Sequence, residues 1–163
     1  MSAVDAAAPT SPAAVVPDSS VAAKWFLHDE EHTQEARAVL AAFTAGRLGL
    51  VVPDCFYYEF AGLVIRAERR GRITSDEADK IVATVAEMPL VGVASGPLIV
   101  RALTLARAFE GSPYDAIYLL LAEDRDIPFV TADETLYKKI GQLEHVHFLA
   151  NIADELPSTL QLP

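Results

Sequence analysis

Residues 112–133 carry the sequence SPYDAIYLLLAEDRDIPFVTAD, which decides the fold class. The first part predicts a helix over residues 112–126, with Pro113 in its first turn and apolar side chains on nearly every side. A helix without a polar face has to lie inside the molecule, between other elements. The second part, IPFVTAD, predicts a buried strand that ends at Asp133. A central helix that leads into a short apolar strand indicates an α/β fold.

The same alternation of apolar strands and helices continues along the rest of the chain. The predicted strands are residues 14–17, 49–53, 90–94, 127–133 and 145–150, and the predicted helices are residues 20–27, 31–46, 54–71, 74–88, 97–111, 112–126 and 134–141. Such strands pair in parallel through right-handed crossovers, which place helices on both faces of the sheet. We therefore predict a three-layer α/β sandwich with a central, mainly parallel sheet.

Four residues mark the ends of predicted helices. Gly46 is expected to close the helix over residues 31–46 at its C-cap. Thr74 and Glu77 have the spacing of a capping box, in which each side chain bonds to the backbone of the other residue. Asp54 follows the second strand and is expected to be the N-cap of the next helix.

Length and composition predict one folded domain. The chain has 163 residues, and 52% of them are apolar, which is enough for a sizeable core. Residues 1–13 are rich in Ala, Ser and Pro and predict a disordered leader. We expect a single domain over residues 14–157 and a C-terminal tail over residues 158–163.

Cysteine usage and hydropathy predict the cellular setting. Cys55 is the only cysteine, so an internal disulfide is excluded and a reducing compartment fits best. No stretch approaches the roughly 20 apolar residues that span a bilayer, and the first residues lack the basic start of a secretory signal. We expect a soluble, cytoplasmic protein with no membrane partner.

Acidic residues follow two strands of the predicted sheet. Asp18 ends the first strand and Asp133 ends the fourth. The carboxyl ends of parallel strands meet at one edge of a sheet, where ligands bind in α/β proteins. Glu59 lies at the border of the apolar stripe of its helix, and Asp115 lies in the first turn of the central helix. We expect these four carboxylates to converge at that edge.

Each aspartate also has a simpler explanation, because Asp is a common helix cap. Asp18 is suited to cap the helix over residues 20–27, Asp133 the helix over residues 134–141, and Asp115 forms a capping box with Ser112. Glu59 is the exception, because it lies past the first turn of its helix, although exposure of its carboxylate to solvent or a salt bridge to a nearby Arg would also explain it. From single residues both interpretations stay open; the joint pattern favours a site.

Four clustered carboxylates indicate a site for Mg²⁺ or Mn²⁺. Carboxylates repel one another unless protons or cations compensate them, and an all-oxygen ligand set is typical of these hard cations. The remaining coordination positions then take water and phosphate oxygens, which suits phosphodiester hydrolysis with one ion or two. Ser20 and Thr131 lie beside the acids and are candidates for orienting a water molecule, although both are also ordinary hydroxyls at a helix start and a strand end.

The sequence resembles the PIN-domain ribonucleases, and among them the VapC-type toxins of prokaryotic toxin–antitoxin pairs. The resemblance covers residues 15–156 and rests on the segments VVPDSSVAAKWF, VPDCFYYEFAGLVIRA, SPYDAIYLLLAE and PFVTADETLYKKI, in this order. It implies a PIN-like fold and an acidic quartet that binds Mg²⁺ or Mn²⁺ and is catalytic, formed by Asp18, Glu59, Asp115 and Asp133. It also implies that Ser20 and Thr131 are the supporting hydroxyls.

The resemblance further implies an activity and partners. The activity is that of an endoribonuclease, in which water attacks an RNA phosphorus in line and leaves a 5′-phosphate and a 3′-hydroxyl. The partners are RNA, a small antitoxin protein and a second copy of the chain. The candidate contacts to RNA phosphates are Lys24, Arg66, Arg69, Arg70 and Arg72, which are equally well explained as solubilising surface residues.

The net charge of −10 counts against RNA as a ligand, since it opposes long-range attraction to nucleic acid. Two alternative functions therefore stay open. One is a phospho-acceptor signalling domain, which is also an α/β sheet with acids at strand ends but needs a strand-end Lys. The other is a catalytically inactive PIN-like module that only binds a partner.

Overall fold

A computed structural model describes residues 13–155. Residues 1–12 of the predicted leader and the whole predicted tail, residues 158–163, lie outside the described residues. Ala13, which we assigned to the leader, is the first residue of a strand. The rest of the proposed domain division stays a prediction.

The centre of the molecule is a five-stranded sheet in which every neighbouring pair is parallel. The strands are β1 Ala13–Pro17, β2 Leu48–Pro53, β3 Val91–Val93, β4 Phe129–Thr131 and β5 Val146–Phe148. Their order is β3-β2-β1-β4-β5, so β1, with the fully buried Val15 and Val16, lies in the middle. The predicted parallel sheet is confirmed.

Helices cover this sheet and complete the predicted three-layer sandwich. They are α1 Ser19–Ala23, α2 Thr33–Thr44, α3 Phe56–Arg69, α4 Ser75–Glu87, α5 Ile99–Phe109, α6 Pro113–Arg125, α7 Glu134–Ile140 and α8 Ile152–Glu155. Short 3-10 turns precede α5 and α8, at Gly96–Leu98 and Leu149–Asn151. Within residues 13–155, the helices are too short or too polar to cross a membrane.

Helix α6 is the central helix that its sequence predicts. Residues 116–122 are all buried, and α6 contacts β1, β2 and β4 on one side and α5 on the other. The ring of Tyr118 stacks on Phe129 of β4, with 6.1 Å between the ring centroids. This packing fixes the N-terminus of α6 relative to the sheet, which matters for the site described below.

Several predicted element boundaries differ from the structure. The strand predicted to end at Asp133 ends at Thr131, because Asp133 is the N-cap of α7. The helix predicted over residues 20–27 is regular only to Ala23, and the chain then makes turns in which Trp25 donates to the carbonyl of Ala22, three residues back. This tighter winding lets both Trp25 and Leu27 reach the core. The last strand ends at Phe148, because Ala150 belongs to a 3-10 turn, and α8 follows without having been predicted.

The helix ends follow the predicted signals with one exception. Thr74 and Glu77 form the predicted capping box, and Gly46 lies one residue past the C-cap of α2, in the left-handed region. Asp54 is not the N-cap of α3. Its Oδ1 instead accepts hydrogen bonds from the backbone N–H and the hydroxyl of Ser95, so it joins the end of β2 to the loop after β3.

Candidate metal centre

The candidate site lies at β1, where the order of the strands reverses: the chain adds β2 and β3 on one side of β1, and β4 and β5 on the other. Such a switch point opens a crevice at the carboxyl ends of the strands. Asp18 comes directly after β1, and its backbone N–H donates to the carbonyl of Val130 at 3.0 Å. Thr131 is the last residue of β4. The ends of the two strands therefore present their side chains to the same crevice.

The carboxylate of Asp18 is held by hydrogen bonds at both oxygens. Oδ1 accepts from the Ser20 backbone N–H at 3.0 Å, the Ser20 hydroxyl at 2.5 Å and the Val21 N–H at 3.2 Å. Oδ2 accepts from the Thr131 hydroxyl at 2.5 Å. The residue is only 7% exposed. The two hydroxyls expected to support the site thus contact its first acid directly.

The same two hydroxyls connect β4 to the start of α1. The Ser20 hydroxyl accepts from the Ala132 N–H at 3.0 Å, and the Thr131 hydroxyl accepts from the Asp133 N–H at 3.0 Å. The backbone around Asp133 is therefore fixed relative to the Asp18 carboxylate through Thr131. Each hydroxyl accepts from a backbone N–H and donates to Asp18, so its O–H bond points at the Asp18 carboxylate.

Glu59 has a partner that the sequence analysis did not identify. The hydroxyl of Tyr118 donates to Glu59 Oε2 at 2.7 Å, and Tyr118 itself is 1% exposed. Glu59 is half-buried on α3. A signal was present in the sequence, because Tyr118 follows Asp115 by three residues and so lies on the same face of α6.

The capping explanation is correct for all three aspartates. Asp18 caps α1 through the bonds described above, Asp115 Oδ2 accepts from the backbone and hydroxyl of Ser112, and Asp133 Oδ1 accepts from the first N–H groups of α7. These caps use only part of each carboxylate. Within residues 13–155, the second oxygen of each of three carboxylates accepts no hydrogen bond: Asp115 Oδ1, Asp133 Oδ2 and Glu59 Oε1. Capping and ligand binding are therefore compatible here.

Burial makes two of these carboxylates unusually weak acids. It raises the pKa of Asp18 to about 6; the hydrogen bonds from Ser20 and Thr131 oppose this shift, and the negative charge of Asp115 adds to it. Burial raises the pKa of Glu59 to about 7, opposed by the Tyr118 hydrogen bond and increased by the charges of Asp18 and Asp115. These three acids are thus close enough to affect one another electrostatically.

The composition of this group fits a hard divalent cation. In the described part of the chain, the hydrogen-bond donors to Asp18 and Glu59 are hydroxyls and backbone N–H groups, without a cationic side chain among them. Mg²⁺ is usually bound by one or two carboxylates and several waters, and the set offers oxygen ligands only. As the side chains stand, however, no three Asp, Glu, His or Cys groups within residues 13–155 are spaced to bind one ion together.

The structure thus brings together part of the predicted quartet. Asp18, Glu59 and Asp115 interact electrostatically, and Asp133 is joined to Asp18 only through Thr131. Asp133 is also exposed, whereas Asp18 is buried. The roles of the four acids as catalytic residues and metal ligands remain predictions.

The five basic candidates fall into different environments. Lys24 pairs with Glu30 at 3.0 Å between Nζ and Oε2. Arg72 donates to Glu30 and to a further acid, Asp29. The candidates that line one cleft beside Ser20 and Asp133 are Lys24, Arg66, Arg70 and Arg72. Arg69 is exposed and does not line that cleft.

Comparison with known proteins identifies the family. The model of the PIN domain matches residues 15–141, which include all four acids and both supporting hydroxyls. The chain belongs to the PIN-domain family. No curated protein matches the sequence of this PIN-domain chain.

Solved structures similar to this PIN domain include proteins from three organisms. PAE2754 from Pyrobaculum aerophilum is 18% identical with a TM-score of 0.56, over 86% of this chain and 94% of that chain. VapC20 of Mycobacterium tuberculosis, described as a sarcin-ricin loop cleaving toxin, is 15% identical with a TM-score of 0.57, over 76% and 93%. A toxin–antitoxin complex from Klebsiella pneumoniae contains a chain that is 15% identical with a TM-score of 0.54, over 83% and 97%. At these identities the likeness establishes the fold alone.

Proposed function

We propose that this PIN-domain protein is an endoribonuclease that depends on Mg²⁺ or Mn²⁺ and serves as the toxin of a toxin–antitoxin pair. The observation that carries the proposal is the buried carboxylate of Asp18, held at both oxygens and close to two further acids. Holding unneutralised carboxylates together is costly, which favours a function that needs them. The VapC20 toxin and the Klebsiella complex support the toxin assignment by analogy.

In this proposal the metal would be held by Asp18, Glu59, Asp115 and Asp133. When bound, Mg²⁺ or Mn²⁺ would make a water ligand more acidic and neutralise charge on the phosphate that is attacked. Ser20 and Thr131 keep both oxygens of Asp18 in place, and Tyr118 holds Oε2 of Glu59. The oxygens of Asp115, Asp133 and Glu59 that accept no hydrogen bond from residues 13–155 would be further ligand atoms.

In this proposal, binding of the metal ion is coupled to the loss of a proton from Glu59. The raised pKa of Glu59, about 7, means that a substantial fraction of this side chain carries a proton at neutral pH. Ligand carboxylates must be deprotonated, so loading the centre releases that proton. The proposed cleavage therefore becomes more efficient as the pH rises through neutrality.

A cleavage assay with one matched pair of variants tests the enzyme assignment. The wild type is expected to cut RNA with Mg²⁺ or Mn²⁺ and to lose this activity in excess EDTA. Asp115→Asn is expected to abolish cleavage while circular dichroism shows an intact fold, because the amide oxygen still caps α6. Asp79→Asn, an exposed acid on α4, is the control and should cut RNA like the wild type.

Two results would contradict this assignment. Full activity in excess EDTA would exclude the metal-dependent mechanism, and full activity of Asp115→Asn would exclude that residue from it. A chain that cuts no RNA but forms a stable adduct with acetyl phosphate would be a phospho-acceptor domain instead.

The toxin assignment includes a small antitoxin, a homodimer and a cytoplasmic setting. Expression of the wild type is expected to arrest bacterial growth, Asp115→Asn is expected not to, and a small protein encoded next to the gene should relieve the arrest. Light scattering should give twice the chain mass of 17.6 kDa. Unchanged growth together with RNA cleavage in vitro would indicate a housekeeping nuclease.

A further inference from the structure

A basic cleft of about 260 Å³ lies next to the carboxylate centre. Ser20 and Asp133, which belong to the centre, also line this cleft. The cleft is lined by four of the chain's thirteen Lys and Arg residues, in a protein whose net charge is −10. Two acids, Glu30 and Asp133, line the same cleft, so basic side chains outnumber acidic ones there by four to two.

Two of these basic residues are already neutralised. Glu30 accepts from Lys24 Nζ at 3.0 Å and from Arg72 Nη2 at 2.8 Å, and Arg72 also binds Asp29. The side chains of Lys24, Arg72 and Glu30 are 11%, 24% and 28% exposed, so the two ion pairs with Glu30 are partly shielded from water, whereas Asp29 is 60% exposed. Lys24 and Arg72 therefore form a fixed wall of the cleft rather than free anion contacts.

The other two basic residues have no such partners. Arg66 and Arg70 are exposed, and no salt bridge to either is found within residues 13–155. Arg66 lies in the last turn of α3 and Arg70 is its C-cap residue, four positions later, and like charges at this spacing repel one another. Two unpaired guanidinium groups that converge on one cleft favour an anion, and their planar donors match phosphate oxygens.

We propose that this cleft binds a backbone phosphate of the RNA strand beside the bond that is cut, and that Arg66 and Arg70 are the contacts. The inference rests on the proposed function and reduces the five basic candidates to two. A cleft of about 260 Å³ is smaller than most pockets for whole small molecules, so it suits one phosphate of a longer chain. Because the cleft shares Ser20 and Asp133 with the centre, a strand bound at the carboxylates continues into it.

Two double variants with the same charge change test the proposal. The first is Arg66→Gln with Arg70→Gln. The control is Arg69→Gln with Arg107→Gln, which removes two exposed arginines that do not line the cleft. Binding of fluorescent single-stranded RNA is measured by anisotropy at several salt concentrations, with Mg²⁺ and in the Asp115→Asn background, so that the RNA stays uncut.

The cleft variant is expected to bind RNA at least tenfold more weakly at low salt. The slope of log affinity against log salt should fall by about 0.7, the contribution of one neutralised phosphate on a single strand. The control should keep the wild-type slope to within half of that change. Thermal melting of both double variants, expected to match the parent, shows that the fold is intact.

Three outcomes would overturn the proposal. The first is an unchanged salt slope in the cleft variant, and the second is an equal loss of RNA affinity in both double variants. The third is that a glutamate-rich peptide binds the wild type as tightly as RNA does and no longer binds the cleft variant. The last would assign the cleft to an acidic protein segment. If the wild type still cuts RNA with Mn²⁺ in each of these cases, the proposed function stands and only the phosphate site falls.

Discussion

A single hydroxyl sets the orientation of the one acid that capping does not explain. Glu59 lies on α3 and Tyr118 on α6, so their hydrogen bond joins two helices that the sequence separates by 59 residues. Tyr118 is buried against Phe129 and has little freedom to move. It therefore holds Oε2 of Glu59 in place, and the same hydrogen bond sets the orientation of Oε1.

The variant Tyr118→Phe tests this positioning role. It keeps the ring and its packing but removes the donor, so Mn²⁺ should bind about 10 to 100 times more weakly, the usual effect of losing a residue that orients a ligand. Isothermal titration of the metal-free protein with Mn²⁺ measures this directly. Tyr137→Phe removes a hydroxyl from a ring that packs on Phe148 and serves as the control. Equal Mn²⁺ affinity in the two variants would refute the role of Tyr118.

The residue scale is also where sequence reasoning was least complete. Asp18, Asp115 and Asp133 were named from their positions at strand ends and a helix start. Glu59 was named from its place at the border of an apolar stripe, and all of these are local features. The bond from Tyr118 and the pairing of Arg72 with Asp29 depend on tertiary contacts, the latter across 43 residues. Such contacts follow from the packing of α3, and the sequence has no local pattern that reports them.

At the scale of elements, two helices start with the same device for different purposes. Thr74 and Glu77 form a capping box on α4, and Ser112 and Asp115 form one on α6. The first box serves only its helix. The second also orients a carboxylate of the proposed metal centre, so removing its hydroxyl should have two effects.

Comparison of Thr74→Ala with Ser112→Ala separates these effects. Each substitution is expected to lower the free energy of unfolding by about 1 kcal/mol, the usual cost of a lost N-cap. Only Ser112→Ala should also weaken Mn²⁺ binding, by roughly tenfold, because Asp115 loses a partner at Oδ2. Urea denaturation and Mn²⁺ titration provide the two readouts. Unchanged Mn²⁺ affinity in Ser112→Ala would leave Asp115 as a cap alone.

The elements themselves were largely predictable, because hydrophobic periodicity and capping residues are local. The differences arise where packing overrides the local pattern. The apolar run over residues 20–27 has the composition of a helix, yet burial of both Trp25 and Leu27 requires turns after Ala23. Asp54 is a typical N-cap residue, yet its carboxylate accepts hydrogen bonds from the backbone N–H and the hydroxyl of Ser95 in a neighbouring loop.

For the whole molecule, the buried acids predict an unusual dependence of stability on pH. The pKa values of Asp18 and Glu59 are raised in the folded state to about 6 and about 7, so the folded chain holds protons that the unfolded chain has lost. Their contribution to stability is therefore full below about pH 4 and decreases as the pH rises through the folded-state pKa values. Above about pH 8, one unit beyond the pKa of Glu59, it no longer changes.

Asp18→Asn isolates one part of this effect. An amide does not titrate, so the difference in unfolding free energy between the variant and the wild type should change in favour of the variant from pH 4 to pH 8. With 1.36 kcal/mol for each pKa unit, the change is at most about 3 kcal/mol. Urea denaturation in EDTA at the two pH values measures it. If the difference in unfolding free energy were the same at pH 4 and pH 8, the pKa of Asp18 would not be raised in the folded state.

The bond between Thr131 and Asp18 spans 113 residues, and this separation determines when the site forms during synthesis. A growing chain has made Asp18, Ser20 and Glu59 long before β4 leaves the ribosome. Until β4 pairs with β1, Asp18 lacks its Oδ2 donor and Asp133 has no fixed place. Contacts between distant segments form late in folding. On the proposed function, we expect a nascent chain to be unable to cut the RNA around it until residue 133 has been made and docked.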